Sequence, residues 1–142
     1  MEKSQVMVYF SLFGDNFPIE VVTEKLEIPP TETYIKGDLI QNRSVAHFRK
    51  ETSWDLGTGY QVSLNVNDQL DQILNKLQGK TSLIKELKEN YSIECKFIIV
   101  IKIENGNTPA LYLNKDIIKF ASDIGAEFDV DLYANPYNDP ID

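Results

Sequence analysis

Three carboxylates alternate with apolar residues in "GAEFDVDLYAN", residues 125–135: Glu127, Asp129 and Asp131 stand between Phe128, Val130 and Leu132. Residues two apart on a strand project from one face, roughly 6.5–7 Å from each other. Such a row has three chemical uses: a divalent-cation site, a surface for a basic protein, or a face toward water. Like charges about 7 Å apart in water repel by about 0.6 kcal/mol, and less with salt. Two such pairs cost about 1 kcal/mol, small beside a typical stability of about 5–15 kcal/mol. The row therefore needs no cation to be tolerated. A hard cation takes about six or more oxygens, and this strand offers only two or three of them. The reading is a solvated or protein-binding face, with Tyr133 beside the acids and Phe128, Val130 and Leu132 on a core face beneath. A divalent-metal site at Asp129 and Asp131 is the alternative.

A basic row is complementary. In "RSVAHFR", Arg43, His47 and Arg49 share one face of an extended segment. Beside the last strand they would ion-pair with its acids. Exposed, they would hold an anion. His47 is the only histidine. A nucleophilic triad or dyad would have to use it, yet neither Cys95 nor any serine has a nucleophile's context. No catalytic residue is assigned. Cys95 shares a strand face with Phe97 and Ile99 and reads as a small buried hydrophobe. Without a histidine cluster or a Cys-x-x-Cys pair, no structural zinc, and no other metal or cofactor, is expected. "GTG" in "WDLGTGYQ" lacks the third glycine and the following helix of a dinucleotide loop, and reads as a hairpin turn. Trp54 is in phase with Leu56. It belongs to the core, or else anchors a protein interface.

These side chains are positioned by a mixed set of elements. "SQVMVYFSLFG" is a central-strand candidate. Asp15 or Asn16 is expected to cap a helix led by Pro18, with Ile19, Val22 and Leu26 on one face and Pro29–Pro30 beyond its end. "TETYIKGD" is a short strand, and "NRSVAHFRKETSWDLG" is extended. "YQVSLNV" alternates strictly, with Tyr60, Val62, Leu64 and Val66 on one side. A long amphipathic helix follows Asn67, split at Gly79, with Thr81 as the second cap. "SIECKFIIVIKIE" is the expected sheet centre. An Asn-Gly turn leads to "TPALYL", a short strand, and a helix runs from its cap Asn114 to its stop at Gly125. The pattern predicts an α+β fold: a mainly antiparallel sheet with two to four helices on one face, as a ferredoxin-like core with extra strands. The connection through the last helix would add one parallel pairing. The expected organisation is one domain over 1–142, with 134–142 as an irregular tail.

Composition limits the function classes. Lys and Arg number 14 against 22 Asp and Glu, a formal charge of −8. Phosphate contacts need clustered Lys and Arg, so nucleic acid is not an expected partner. From Phe120 to Asp142 the acids are Asp123, Glu127, Asp129, Asp131, Asp139 and Asp142, with no Lys or Arg. An acidic end steers a basic partner toward itself. One cysteine excludes an internal disulfide and fits a reducing compartment. No apolar run has the length of a membrane span, and "MEKSQVMVYFSLFGD" lacks a signal-peptide pattern, so a cytoplasmic protein off the membrane is expected.

Several landmarks together resemble a family of small bacterial proteins known as domain of unknown function 4279. They are "VYFSLFGDNFPIEVVTEKLEIPPTETYIKGD", "ETSWDLGTG", "NDQLDQILNKL" and "IIKFASDIGAEFDVDLYAN". The motifs are a Gly-Asp entry to a Pro-led helix, a Ser-x-Trp-x-Leu strand, and an Asp-x-Asp-x-Tyr finish at Asp129, Asp131 and Tyr133. The resemblance spans roughly residues 6–135. It implies a bacterial, cytosolic, single-domain protein and carries over no catalytic residue. The expected function is a non-enzymatic protein-binding module, in its specific form an immunity- or antitoxin-like protein. It would mask a basic partner, such as a nuclease toxin, through Glu127, Asp129, Asp131 and Tyr133, with Trp54 as a further anchor. The alternatives are a small-ligand or metal-binding enzyme using Asp129 and Asp131, and a homodimeric structural protein.

Overall fold

A computed structural model of the chain describes residues 2–41 and 43–136. Strand β1 (Gln5–Gly14) leads to helix α1 (Ile19–Leu26), then β2 (Glu32–Tyr34), β3 (Thr52–Gly57) and β4 (Gln61–Val62). Helices α2 (Val66–Leu77) and α3 (Thr81–Tyr91) precede β5 (Glu94–Ile103), and α4 (Lys115–Ile124) precedes β6 (Glu127–Ala134). The sheet order is β2-β3-β1-β5-β6, with β4 also on β1. All pairs are antiparallel except β5–β6, which is parallel. β1, α1, β2, β3, the α2–α3 pair and β5 make the expected ferredoxin-like core, and α4 with β6 is the addition.

The core lies on one face of this sheet. Val6, Val8, Phe10 and Leu12 of β1 project to it together with Cys95, Phe97, Ile99 and Ile101 of β5 and Trp54 and Leu56 of β3. All four helices close over them: Val22 and Leu26, then Leu70, Ile73 and Leu77, then Ile84 and Leu87, then Ile117, Ala121 and Ile124. Phe97 is the centre of an aromatic group, 5.1 Å from Phe10 and 5.3 Å from Phe128 between ring centroids. Each such pair adds about 0.5–1.5 kcal/mol beyond the area it buries. The other face of the sheet carries no helix among the described residues.

Local signals set most helix ends. Asn114 caps α4, its Oδ1 accepting from the Ile117 N–H at 3.0 Å, and Gly125 follows its last residue. Gly79 separates α2 from α3 as expected. Three caps differ. Asn65, not Asn67, caps α2, its side chain accepting from the Asn67 N–H. α1 begins at Pro18 without a side-chain cap, because Asp15 is drawn into an ion pair with Lys36. Thr81 lies inside α3, after Lys80.

Two strand expectations also differ. The Asn105–Gly106 turn forms, but "TPALYL" does not pair back on β5. It stays extended, tied to the start of α2 by Ala110 against Asn65 and by the Tyr112 N–H to Asn67. "GTG" is not a hairpin turn, because β3 and β4 run the same way along β1. Tyr9 faces Gly57 while Gln5 faces Val62, so one extra residue sits between the two registers. This is a β-bulge with Gly59 at φ +71°, held by the Val8 N–H donating to Thr58 Oγ1 at 3.1 Å. The extra residue inverts the alternation. Gln61 turns toward the helices, hydrogen-bonded to Gln69 and Gln72, while Val62 turns outward and is exposed. No described helix is long and apolar enough to cross a membrane. Ala134 still belongs to β6, and residues 137–142 of the expected tail lie outside the described residues.

Candidate functional site

The helix-free face of the sheet gathers the polar chemistry. Register places Glu32 and Tyr34 of β2, Ser53 and Asp55 of β3, and Met7, Tyr9, Ser11 and Phe13 of β1 on it. Lys96, Ile98, Val100 and Lys102 of β5 follow, then Glu127, Asp129, Asp131 and Tyr133 of β6. Tyr60 joins this face beneath Lys102, whose Nζ is 3.9 Å from its ring centroid. Among the described residues four tyrosines therefore converge on one face, which also bears five carboxylates.

Its edges differ. At the β6 edge the acid row is exposed. Lys96 is its one described ion-pair partner, 4.0 Å from Asp129 Oδ2. Nothing among the described residues pairs with the outer edge of β6. The expected core face under the acids is only partly formed. Phe128 stacks on Phe97, but Val130 is 39% and Leu132 62% exposed. An edge strand has a neighbour on one flank only, so the side chains beyond Phe128 lack cover.

At the opposite edge a hollow of about 560 Å³ opens between β1, β3 and the β2 segment. Tyr9, Glu32, Tyr34, Arg49, Asp55 and the bulge residues Gly57–Gly59 line it. Gly57 leaves the floor low: a Cβ there would lie 3.0 Å from that of Tyr9. Asp55 is only 9% exposed, and its Oδ1 is fully buried without a hydrogen-bond partner. Burial raises the Asp55 pKa above the usual carboxylate range, outweighing the neighbouring Ser11 hydroxyl, Arg49 and Lys96, which act in the other direction. Tyr34 donates to Glu32, and that bond together with burial pushes its phenol up to about 12. The Arg49 guanidinium lies 3.6 Å above the Tyr34 ring centroid. Tyr9 joins the two ends of the face. Burial raises its pKa first, then Asp55, Asp131, Asp129 and Glu32.

The basic row does not meet the acid row. Arg43, His47 and Arg49 belong to the connection between β2 and β3, at the sheet edge away from β6. That connection folds back on itself, Ile40 N–H bonding His47 O and Arg49 N–H bonding Asp38 O, each at 2.7 Å. His47 and Arg49 overhang a second hollow with Tyr9, Asp55 and Lys96, while Arg43 is exposed and lines neither hollow. Trp54 is fully buried in the core, its Nε1 donating to Thr23 Oγ1 at 3.0 Å, and so is no surface anchor. Cys95 is buried against the Ile124 carbonyl, and burial pushes its thiol up to about 11. No group of three or more metal-ligating side chains occurs among the described residues. Asp55, Tyr9, Glu32 and Tyr34 escaped the sequence reading. Their one signal was an aspartate inside the β-rich "TSWDLG", which alternation alone assigns to water.

The comparisons with known proteins place the chain by family alone. Residues 4–135 match the model of a family described as a domain of unknown function, DUF4279. No curated protein and no solved structure matches the chain.

Proposed function

The chain belongs to the DUF4279 family, and on that premise we propose that it is a non-enzymatic protein-binding module. Its partner is a basic protein, met in the cytoplasm of a bacterium, and nucleic acid is not contacted directly. In the more specific form the chain acts like an immunity or antitoxin protein, masking a cationic surface such as that of a nuclease.

One observation carries this reading: β6 is an eight-residue edge strand with an unpaired outer edge among the described residues, and it bears Glu127, Asp129 and Asp131. An open edge offers main-chain N–H and C=O groups to an extended segment of another protein. Alternating acids select a segment with Lys or Arg at alternate positions, and exposed Val130, Leu132 and Tyr133 supply apolar contact. Among the described residues only Asp129 is compensated, at 4.0 Å from Lys96, so the row keeps most of its charge.

Fluorescence anisotropy with labelled extended peptides of alternating Lys and Val tests the reading. Binding should weaken with salt, and neutralising Glu127, Asp129 and Asp131 to the amides should lower affinity by about tenfold or more, or about 1.4 kcal/mol. Equal affinity in the neutralised variant, with unchanged salt dependence, would sink the proposal.

A further inference from the structure

On the protein-binding reading of the β6 edge, we infer that the partner is a strand that adds antiparallel. Its basic side chains lie opposite the acids, and its main-chain bonds go to the apolar residues between them.

The ladder decides which residues of β6 face outward. In a parallel pair, a residue that faces its neighbour gives its N–H to the residue before its own partner and takes an N–H from the residue after it. The Asn135 N–H donates to the Ile103 carbonyl at 3.0 Å, while Ala134 is the residue level with Ile103. Asn135 therefore spends its main chain on β5, and alternation extends this to Tyr133, Asp131, Asp129 and Glu127. Phe128, Val130, Leu132 and Ala134 point their N–H and C=O groups to the open edge. The rest of the sheet keeps the same phase. Ile98 and Val100 then turn their main chain toward β1, and their partners Tyr9 and Met7 turn toward β5. Val8, between those two, is left facing the β3 side, and its carbonyl does accept from the Thr58 N–H at 3.0 Å.

The direction of the added strand follows from where the acids stand. In antiparallel addition, residues opposite Val130 and Leu132 form the hydrogen-bonded pairs, and those opposite Asp129 and Asp131 form the pairs without hydrogen bonds. The latter bring Cα atoms to about 4.5 Å, against about 5.5 Å in the former, so side chains meet most closely there. A parallel strand has no such close pairs and is slightly less stable for each residue. Antiparallel addition thus sets the partner's Lys or Arg nearest to Glu127, Asp129 and Asp131. Its intervening residues fall beside the exposed Val130 and Leu132, on the helix side of the sheet. The partner segment alternates basic and apolar residues, and each apolar residue must bring a free N–H. Proline is therefore excluded from the apolar positions.

Two measurements on the unmodified chain test this. Amide hydrogen exchange followed by NMR in the free protein should find Val130 and Leu132 faster than Asp129, Asp131 and Tyr133 by about tenfold or more, and saturation with an alternating Lys-Val peptide should slow them. Fluorescence anisotropy with N-methylated forms of that peptide reads the direction. Methylation at the Val positions should lower affinity by about tenfold or more, because it removes the donors and sets a methyl group against the edge. Methylation at the Lys positions, whose N–H groups face away, should change affinity by less than about threefold. A larger loss from the Lys positions means parallel addition and overturns the inference. Equal losses, no loss from either set, slow Val130 and Leu132 exchange in the free chain, or exchange unchanged on saturation overturns it too. Failure of the unmethylated peptide to bind removes this inference together with the protein-binding reading. Binding of that peptide with any of the other adverse patterns removes this inference alone.

Discussion

Asp55 pairs laterally with Ser11 on one side and Glu32 on the other, with its carboxylate drawn below the surface of the open face. Its raised pKa has a definite consequence for stability. The folded state binds this proton more tightly than the unfolded chain, whose pKa is near the ordinary 3.8. Ionised Asp55 therefore lowers stability at pH values above its folded pKa. That penalty fades as the pH falls through the folded pKa and is gone below the unfolded one. Asp55→Asn abolishes this titration, so its stability relative to the wild type should be greatest at neutral pH and should decline toward pH 4. Melting temperatures of both proteins across that range check this, and a constant difference would contradict it. The sequence did not disclose the residue because alternation reports only which of two faces a side chain takes. Trp54 and Leu56 are legible as core, and alternation then sends Asp55 to the opposite face, with nothing local to distinguish a walled face from water. That its face is walled by Tyr9, Tyr34 and Arg49 depends on the pairing of β3 with β1, which sets Asp55 beside Ser11, 44 positions earlier when taken from residue 11 to residue 55.

The β3–β4 bulge decides what the open face contains. "YQVSLNV" was the clearest period-2 segment, yet only two of its residues form a strand, and Tyr60, Val62 and Leu64 are exposed. The extra residue at Thr58–Gly59–Tyr60 turns the phase over, so that Tyr60 and Val62 both take the outward side and Gln61 the helix side. A glycine at positive φ serves a hairpin turn and a bulge equally well, so "GTG" could not separate them. Only the register against β1 does. The helix ends at Asn114, Gly125 and Gly79 were legible because they depend on nearby residues. Gly59 gives a direct test of the bulge. Nothing lies within 4 Å of a Cβ placed there, so a substitution meets backbone strain and no clash. Gly59→Ala should cost about 1–2 kcal/mol, and Gly59→Asn less, because asparagine visits the left-handed region more readily. Urea unfolding gives both values. Equal, negligible costs would mean that the bulge is not pinned by this residue.

At the scale of the molecule, charge bears on who can share the β6 edge. A second copy is the simplest occupant, and self-pairing along an edge is a common route to dimers. Antiparallel pairing of β6 with its own copy would place the acids of one strand beside those of the other on the same face. Like charges about 5 Å apart in water repel by about 0.8 kcal/mol for each directly opposed pair. A chain with formal charge −8 adds longer-range repulsion. The repulsion is not large, but a two-strand contact has little apolar area to offset it: Val130 and Leu132 are the exposed aliphatics of β6. The wild-type chain should therefore sediment as a monomer at micromolar concentration, neutral pH and low salt. Neutralising Glu127, Asp129 and Asp131 to the amides should remove the barrier and shift the population toward dimer. Sedimentation velocity over a concentration series distinguishes the cases. A stable wild-type dimer at low salt would mean that the acids do not guard this edge, and would favour the homodimeric alternative. A monomer that dimerises only on neutralisation would identify the row as a gate that excludes the chain's own copies while leaving the strand open to a basic one.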